Sequence, residues 1–375
     1  MSSLPRSEII SQISSDLVRK MVFLGGPRQV GKTTLAQMLL GSKSSLGYLN
    51  WDNLEHRRKI LDGNWPKNQK LVVFDEIHKF KNWRNLVKGY FDTLRENHRF
   101  LVTGSARLDY YRKGGDSLLG RYYYHRLHPL SLPEIRSKKD LPHLLKFGGF
   151  PEPFLTGSET ELKRWHLQRR ERVIYSDIRD LEDVKEISLM DQLIEAMPER
   201  VGSPLSKKNL SEDLEKDQKT IERWIQILER VYYCFRISPH GSAKIRAVKK
   251  EQKLYLWDWS EHLDPGKKWE NFVASHLLKY CHHHEDTNGE KMELRFLRDT
   301  DKREIDFVVL KNRKPLFAVE CKTGEKSLNP HIPYFRDRTS IPIFYQVHAG
   351  SQHRQIDARV TILPFSAFCE MTQMV

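Results

Sequence analysis

The sequence predicts an α/β protein whose N-terminal part is built on a parallel sheet. Residues 1 to about 136 alternate short apolar runs with segments of helical spacing, as parallel strands joined by crossover helices require. A glycine-rich motif, Gly26 to Thr33, connects the first of these runs to the first of these helices. Near the C-terminus, further strand patterns separated by short turns predict a second, smaller α/β domain.

The glycine-rich motif is the most specific feature of the chain. It reads Gly26-Pro27-Arg28-Gln29-Val30-Gly31-Lys32-Thr33 and fits the pattern G-x-x-x-x-G-K-[ST] at every fixed position. Met21 to Leu24 before it predicts a buried strand, and Thr33 to Leu40 after it predicts a helix. The loop amides would surround phosphates, Lys32 would reach the terminal ones, and the Thr33 hydroxyl would ligate Mg²⁺. The motif therefore predicts a nucleoside triphosphate site.

Acidic residues follow the next buried run. Leu71 to Phe74 predicts a strand, and Asp75 and Glu76 come directly after it. At the carboxyl end of a neighbouring strand, Asp75 would hold the metal and Glu76 would orient and deprotonate the attacking water. An acidic strand end that caps the next helix is the alternative. The preceding phosphate loop favours hydrolysis.

Two later segments offer further polar groups. Phe100 to Val102 predicts a strand that ends in Thr103-Gly104-Ser105, where Thr103 and Ser105 would touch the water or the γ-phosphate. Arg121 follows Gly120 in a predicted loop. An arginine supplied by a neighbouring subunit can neutralise the charge that develops in phosphoryl transfer, although in so basic a chain a solvated arginine is the alternative.

These motifs, in this order, resemble a known family. The segments that carry the resemblance are Gly26 to Thr34, Asp75-Glu76-Ile77-His78-Lys79 with Trp83, Thr103 to Ser105, Gly120-Arg121, Leu127 to Ser131 with Glu134, and Gly148 to Glu152. They look like the prokaryotic AAA-type ATPases with a C-terminal DUF4143 domain. The resemblance implies an AAA+ core with Thr34 in the nucleotide site, a winged-helix segment and a restriction-endonuclease-like C-terminal domain. It also makes Arg121 a candidate arginine finger, but it supplies no biological role.

The composition favours a polyanionic partner. The 375 residues include 63 Lys and Arg against 49 Asp and Glu, a formal net charge of +14. Nucleic acid, with DNA favoured, is the first candidate and a membrane surface the second. The sequence has no run of about eighteen apolar residues, no basic amphipathic anchor and no apolar signal core at its N-terminus. We therefore expect a soluble, cytoplasmic protein without a membrane partner.

The cysteines and a histidine cluster add little chemistry. Four scattered cysteines, without paired spacing, fit a reducing cytosol. His282-His283-His284 follow Cys281, a composition that can indicate metal binding. The polar run Glu285 to Gly289 favours a solvated loop instead, since three adjacent side chains cannot all converge on one ion.

Changes of pattern divide the chain into four predicted parts. They are an ATPase core over 1–136, a helical segment that completes the ATPase module over 137–200, a winged helix over 201–262 and a nuclease-like domain over 263–375.

The third part has the pattern of a duplex-binding module. Ser206 to Leu214 and Thr220 to Val231 predict helices, and Tyr232 to Ile237 and Lys253 to Trp257 predict the strands of a wing. The second helix would enter a groove while wing cations meet phosphates. The DNA-binding candidates are Lys219, Arg223, Lys244, Arg246, Lys249 and Lys250. An interdomain or intersubunit contact is the alternative.

The fourth part carries a carboxylate constellation. Asp306 lies in one predicted strand, and Glu320 and Lys322 lie on one face of the next. Asp306 and Glu320 would ligate Mg²⁺ or Mn²⁺, Glu270 could add a ligand from a preceding helix, and Lys322 would stabilise charge and position water. The pattern resembles the PD-(D/E)xK nucleases. Charged residues that alternate to solvent on a strand are the alternative.

Together these observations predict a homo-oligomeric, Mg²⁺-dependent ATPase of AAA+ type, in a ring or hexamer for example, that couples ATP hydrolysis to binding or remodelling of nucleic acid. A metal-dependent nuclease activity of the C-terminal domain is a further candidate. Two alternatives stay open: an ATP-driven switch that acts on a protein partner, and a nucleotide-gated DNA-binding regulator with an inactive nuclease-like domain.

Overall fold

The computed structural model describes residues 6–41, 45–104, 108, 118–135, 140–178, 186–241 and 251–375. The chain forms two compact units. The first comprises Met1–His128, Tyr175–Asp183 and Arg230–Tyr232, and the second comprises Pro129–Ile174, Val184–Glu229 and Tyr233–Val375. Ser105 and the predicted wing cations Lys244, Arg246, Lys249 and Lys250 lie outside the described residues.

The first unit contains a parallel sheet with helices. Its helices are α1 Ser7–Leu17, α2 Lys32–Leu40, α3 Leu54–Asp62 and α4 Trp83–Leu94. Its strands are β1 Met21–Gly25, β2 Tyr48–Asn50, β3 Leu71–Asp75, β4 Arg99–Thr103 and β5 Tyr122–Arg126. The five-stranded sheet has the order β2-β3-β4-β1-β5, and every neighbouring pair is parallel. The predicted α/β class with a parallel-sheet core is confirmed.

The parallel order explains the sequence of these strands. β1 is buried along its whole length, and β3 and β4 are buried beyond their first residue. Strands covered on both faces need apolar runs rather than alternation. The core against them contains Phe23, Phe74 and Phe100 together with Trp65. Because all five strands are parallel, their carboxyl ends meet at one edge of the sheet.

The second unit begins with helices. They are α5 Leu141–Phe147, α6 Pro151–Thr156, α7 Glu159–Arg172, α8 Ile187–Ala196, α9 Lys207–Asp213 and α10 Gln218–Arg230. α9 and α10 lie where the sequence predicts the two helices of a winged helix. Asp217 begins α10 because its carboxylate accepts the backbone N–H groups of Lys219 and Thr220. Ile221, Trp224 and Leu228 are buried on α10.

The rest of the second unit forms a mixed sheet. Its elements are β6 Cys234–Pro239, β7 Lys253–Leu256, α11 Pro265–Asn288, β8 Met292–Arg298, β9 Glu304–Lys311, β10 Lys314–Cys321, α12 His331–Arg338, β11 Phe344–His348, β12 Arg354–Asp357, β13 Val360–Pro364 and α13 Phe365–Met371. The eight strands have the order β12-β13-β11-β10-β9-β8-β6-β7. β6 and β7, the strands of the predicted wing, are antiparallel, and β6 also pairs with β8. They thus belong to the same sheet as the predicted β8-β9-β10 meander.

The prediction of a solvated loop at the histidine cluster is wrong. α11 runs through His282-His283-His284 and ends only at Asn288. Gly289 follows in the left-handed region with φ 68°, and its N–H donates to Glu285 O. Tyr280 and Cys281 are buried on this helix. Apolar packing on one face therefore holds the polar segment helical until the first glycine.

Candidate functional site: the phosphate loop and the carboxyl edge of the sheet

The glycine-rich motif forms a tight loop between β1 and α2. Gly26 has φ 146°, and a Cβ there would lie 2.4 Å from Leu127 O. Gly31 has φ 101° and Gln29 has φ 60°. Glycine tolerates such values, whereas a non-glycine residue in the left-handed region costs free energy and recurs at functional sites. The loop therefore has the geometry of a phosphate cradle at a helix N-terminus.

Lys32 lies inside this loop. Its ammonium donates to Gly26 O at 2.8 Å and to Pro27 O at 2.7 Å, and its side chain is buried. Pro27, Arg28 and Val30 complete the loop, and Thr33 and Thr34 are exposed in the first turn of α2. These are the positions that the motif predicts for phosphate contacts.

The pairing of the strands organises the carboxyl edge of the sheet. Asn50 pairs with Asp75, Asp75 pairs with Thr103, and Thr103 pairs with Leu24. These four residues end neighbouring parallel strands. The side chain of Asp75 consequently lies beside the loop that follows β1.

Asp75 is buried and receives several hydrogen bonds. The Thr33 hydroxyl donates to Asp75 Oδ2 at 3.0 Å, and the Thr103 hydroxyl donates to Oδ1. The Tyr48 hydroxyl also donates to Oδ2, and Asn50 Nδ2 lies 3.5 Å from the same oxygen. Burial and the Asp75 carboxylate raise the pKa of Tyr48. Within the described chain, the partners of Asp75 are thus neutral groups.

Thr33 and Asp75 fit the predicted metal ligands. Mg²⁺ prefers oxygen ligands, and it is typically held by one or two protein oxygens together with substrate phosphates. The hydroxyl of Thr33 and the carboxylate of Asp75 already contact each other beside the loop. Because the described partners of Asp75 are neutral donors, no cation of the described chain occupies the position that such a metal ion would take.

Glu76 follows in a strained backbone conformation. Its φ is 56°, and its side chain is mostly buried. Burial raises the pKa of Glu76, with Asp75 adding to the rise and Lys32 and Lys79 opposing it. A carboxylate with a raised pKa is a better proton acceptor. Gly104 follows β4 and lies against His78. A Cβ at this position would lie 2.7 Å from His78 Nδ1, so a larger residue would require His78 to shift.

Arg121 lies at the opposite edge of the sheet. It immediately precedes β5, and its carbonyl accepts the N–H of Met21, the first residue of β1. Its guanidinium pairs with Asp92, with Nε and Oδ1 2.7 Å apart. Because the strands are parallel, this edge is remote from the phosphate loop of the same chain. The predicted action of Arg121 on the nucleotide of a neighbouring subunit stays a prediction.

Sequence reasoning missed three residues of this site. Tyr48 and Asn50 lie on β2, a strand of three residues that is too short to show a period. Arg6 is buried and donates to His128 O at 2.8 Å and to Val30 O at 3.2 Å, so it links the phosphate loop to the segment after β5. Nothing in the local sequence around Arg6 indicates that role.

The C-terminal carboxylates lie close together, but around a lysine. Lys253 Nζ lies 3.2 Å from Glu270 Oε1 and 3.8 Å from Asp306 Oδ1, and it also pairs with Glu304. Burial opposes the charged form of Lys253, but the three carboxylates together raise its pKa. The other oxygen of Asp306 accepts the Cys321 N–H at 2.8 Å. The sequence predicts Lys253 only as the first residue of a wing strand and gives no sign of its contact with these carboxylates.

Glu320 and Lys322 lie on one face, as predicted. Lys322 Nζ donates to Glu320 Oε1 at 2.6 Å, and Asn329 donates to the same oxygen. Glu320 Oε2 is buried and has no hydrogen-bond partner among the described residues. Burial and Asp306 raise the pKa of Glu320 to about 8, and burial and Asp306 raise that of Glu270 to about 7.

This cluster does not fit the predicted metal set of Glu270, Asp306 and Glu320. In the described part of the chain, no group of three or more His, Cys, Asp or Glu side chains has an arrangement that could hold a metal ion. Lys253 occupies the position between Glu270 and Asp306 that a divalent cation would need. An ammonium of the protein itself thus lies among these carboxylates.

Three family profiles match successive parts of the chain. Residues 18–136 match AAA_14, an AAA domain. Residues 138–260 match DUF8612 and residues 265–368 match DUF4143, both domains of unknown function. The AAA domain and the DUF4143 domain of the predicted resemblance are thereby confirmed. The winged helix and the nuclease-like fold stay predictions, as do the boundaries of the four predicted parts.

The similar proteins carry no assigned function. The uncharacterized protein MJ1637 of Methanocaldococcus jannaschii is 22% identical over 376 residues, covering 82% of this chain and 76% of that protein. The uncharacterized protein MJ1544 of the same organism is 22% identical and covers 92% and 87% respectively. Rv2008c of Mycobacterium tuberculosis, also uncharacterized, is 23% identical over 274 residues, covering 68% and 62%.

Two solved structures have a limited likeness to this chain. The Walker-type ATPase PABY2304 of Pyrococcus abyssi has a TM-score of 0.41 at 13% identity, covering 68% of this chain and 94% of that one. AMPPCP-bound DnaA of Aquifex aeolicus has a TM-score of 0.32 at 15% identity, covering 61% and 89%. Such scores carry no argument about activity. The AAA-type, ATPase-like fold of the first unit rests on the matched domain and the strand order.

Among the described residues, no helix has the length and apolar character that crossing a membrane requires.

Proposed function

We propose that this protein is a Mg²⁺-dependent ATPase of AAA+ type that couples ATP hydrolysis to binding or remodelling of nucleic acid. The observation that carries the hydrolytic part is the contact of Thr33 with Asp75 beside the phosphate loop, with Glu76 next in the chain. In this proposal the phosphate cradle, the metal ligands and the proton acceptor share one edge of one sheet.

Each group has a role in this proposal. The loop amides and Lys32 bind the phosphates and neutralise their charge. Thr33 and Asp75 would hold Mg²⁺. When bound, this ion would neutralise the charge that develops on the phosphate oxygens during hydrolysis. Glu76 orients the attacking water and accepts its proton, a role that its raised pKa supports. Thr103 fixes the Asp75 carboxylate through its hydroxyl.

The nucleic-acid part is supported by charge. The chain carries a net charge of +14, and Lys219 and Arg223 are exposed on α10. A polyanion is the partner that such a surface attracts most strongly. A switch that acts on a protein partner is the rival function, and it predicts hydrolysis that is indifferent to nucleic acid.

We propose a binding role without cleavage for the C-terminal domain. The nuclease activity that Asp306, Glu320 and Lys322 predict requires carboxylates that can accept a divalent cation. Both oxygens of Asp306 are engaged, one by the Cys321 N–H and one near Lys253, and Glu270 shares the same lysine. Cleavage would require Lys253 to leave this position.

We propose that the protein acts as a homo-oligomer in which Arg121 reaches the nucleotide of the next subunit. Mixing Arg121→Ala chains with Lys32→Ala chains tests this role. Activity should reappear in the mixture, because some sites combine an intact phosphate loop with an intact neighbouring arginine. A mixture no more active than its two components would remove Arg121 from the site.

The test of the whole proposal is ATP hydrolysis in Mg²⁺ with and without single-stranded DNA, duplex DNA and RNA, with the nucleic acid then analysed on a denaturing gel. We expect hydrolysis, its stimulation by nucleic acid, its loss in Lys32→Ala, and uncut strands. Hydrolysis that no nucleic acid changes would favour the protein-directed switch. Cut strands in wild type, but not in Asp306→Ala, would contradict the non-cleaving role.

A further inference from the structure

A basic cavity lies at the edge of the parallel sheet opposite the phosphate loop. Its volume is about 250 Å³, and it is formed by the end of α1, the start of β1, the end of α4 and the start of β4. Four of its lining residues are cations: Arg19, Lys20, Arg95 and Arg99. The lining contains a single carboxylate, Glu96, and that residue is exposed.

None of the four cations forms an ion pair within the described part of the chain. Lys20 Nζ lies 4.7 Å from the centre of the Tyr123 ring, and the Arg95 guanidinium lies 6.0 Å from that of Phe91. Arg99 donates to the carbonyl of Arg95 at 2.8 Å. No ion pair to a carboxylate is found for any of the four among the described residues, although other surface cations of this unit, such as Lys79 and Arg121, have one.

Two buried aromatic side chains, those of Phe91 and Phe100, also line the cavity. Cations over a low-dielectric wall produce a stronger field in a recess than the same charges on a flat surface. The cavity therefore concentrates positive potential where an anionic group could enter from solvent.

Two properties favour phosphate as that group. Three of the four cations are arginines, whose planar guanidinium binds phosphate oxygens through two parallel hydrogen bonds. The cations also come from two separate chain segments, Arg19-Lys20 and Arg95 to Arg99, so one anion with several oxygens can engage both.

We propose that this cavity binds the backbone phosphates of a nucleic-acid strand. This inference rests on the proposed function. It adds a surface of the ATPase unit that would contact the nucleic acid. The surface is separate from the nucleotide site, because β1 and β4 begin at the cavity and end at the carboxyl edge. Nucleotide and nucleic acid can therefore be bound at the same time by one sheet.

The experiment measures fluorescence anisotropy of fluorescein-labelled oligo(dT), and of a labelled duplex of equal length, across a salt series. Wild type is compared with Arg19→Gln/Arg95→Gln, in which both altered side chains are exposed. The matched control is Arg58→Gln/Lys67→Gln, which also removes two exposed cations from the same unit but none from the cavity lining. Thermal melting of each variant verifies folding.

We expect the cavity variant to bind at least about 10-fold more weakly at ~0.1 M salt, with a salt slope shallower by about 1.4 to 1.8 for two lost phosphate contacts. The control should bind within about 2-fold of wild type. Arg19→Lys/Arg95→Lys should recover the salt slope but only part of the affinity, since lysine keeps the charge but not the two parallel hydrogen bonds of a guanidinium.

Three outcomes would overturn the inference. Equal losses in the cavity variant and the control would assign the effect to general surface charge and leave the proposed function intact. Unchanged strand binding, with a second equivalent of ADP per chain that only the cavity variant loses, would make the cavity a site for small phosphate esters. If wild type binds neither probe, the inference fails together with the nucleic-acid part of the proposed function.

Discussion

Asp75 and Asp306 are both acidic residues in largely buried strands, but their charges are balanced differently. The partners of Asp75 are hydroxyls and an amide from Thr33, Tyr48, Thr103 and Asn50. Asp306 shares the ammonium of Lys253 with two further carboxylates. A buried charge needs a counter-charge. The described protein groups at the first site supply no such counter-charge to Asp75, whereas the second site has one ammonium of the protein among its carboxylates.

This difference matters for function because a cation gains most where no ammonium of the protein already lies beside the carboxylate. At Asp75, an incoming Mg²⁺ would meet a carboxylate already oriented by neutral donors. At Asp306, a metal would first have to displace Lys253, which is almost completely buried. Under our proposal, an aspartate in a buried strand would therefore serve hydrolysis in one unit and structure in the other.

The largest effect should come from the proton acceptor of the first site. Glu76→Gln removes the carboxylate while keeping its shape, so ATP turnover should fall by about 10² to 10⁴-fold. Nucleotide affinity should change little, because Lys32 and the loop amides remain. Turnover and the binding of a fluorescent nucleotide measure the two effects. Asp52→Asn, at the exposed partner of Lys79, is the control. Turnover equal to wild type would remove Glu76 from the mechanism.

Lys253→Met tests the second half of the comparison. It leaves Glu270, Glu304 and Asp306 without their shared cation, so the second unit should lose roughly 3 to 5 kcal/mol of unfolding free energy. Mn²⁺ should then raise the melting temperature of the variant more than that of wild type, since a vacated cation position becomes available. Denaturant unfolding and melting with and without Mn²⁺ measure both effects.

Lys314→Met provides a matched control, because it removes an exposed lysine from the same sheet and should change neither quantity. If Lys253→Met is as stable as wild type, the carboxylates do not depend on that ammonium.

Part of the pH dependence of the unfolding free energy should come from Glu320. Its pKa rises from a usual value of 4.5 to about 8 through burial and Asp306. The folded state therefore favours the protonated carboxyl, and the stability that this contributes is complete below pH 4.5 and is lost as pH rises through 8. Between about pH 5 and 8, wild type should lose roughly 3 to 4 kcal/mol more unfolding free energy than Glu320→Gln. Parallel pH profiles from denaturant unfolding would contradict this.

The smallest effect on stability should come from Asp75→Asn. The hydroxyl groups that donate to Asp75 can reorient toward an amide. The unfolding free energy of the nucleotide-free protein should therefore change by no more than about 1 kcal/mol. The Mg²⁺-dependent part of nucleotide affinity should nevertheless be lost, because the charge that holds the cation is gone. Nucleotide titrations in Mg²⁺ and in EDTA separate the two contributions. A large loss of stability would mean that Asp75, like Asp306, has a structural role.

Much of the fold and of the nucleotide site could be predicted because the signals are local. Met21 to Leu24 and Leu71 to Phe74 are apolar runs that parallel strands require, and the glycine-rich motif fixes the loop between β1 and α2. Parallel pairing then brings Asp75 to the same edge as this loop. No knowledge of distant contacts is needed for that step.

The residues that were missed depend on contacts distant in sequence. Lys253 and Asp306 are brought together only by the packing of β7, α11 and β9, which no local period indicates. The same holds for Arg6, whose guanidinium reaches Val30 O. The prediction for the histidine segment was wrong for another reason. The composition of this segment is that of a loop, but burial of Tyr280 and Cys281 keeps α11 helical.

The shortness of β1 and β4 has a mechanical consequence. Each strand has five residues, which span about 17 Å from the basic cavity to the carboxyl edge. Both are hydrogen-bonded to each other and almost entirely packed in the core. A strand held in this way resists bending. A displacement imposed at the first residue of β1 would therefore be passed on to the phosphate loop, which begins directly after its last residue.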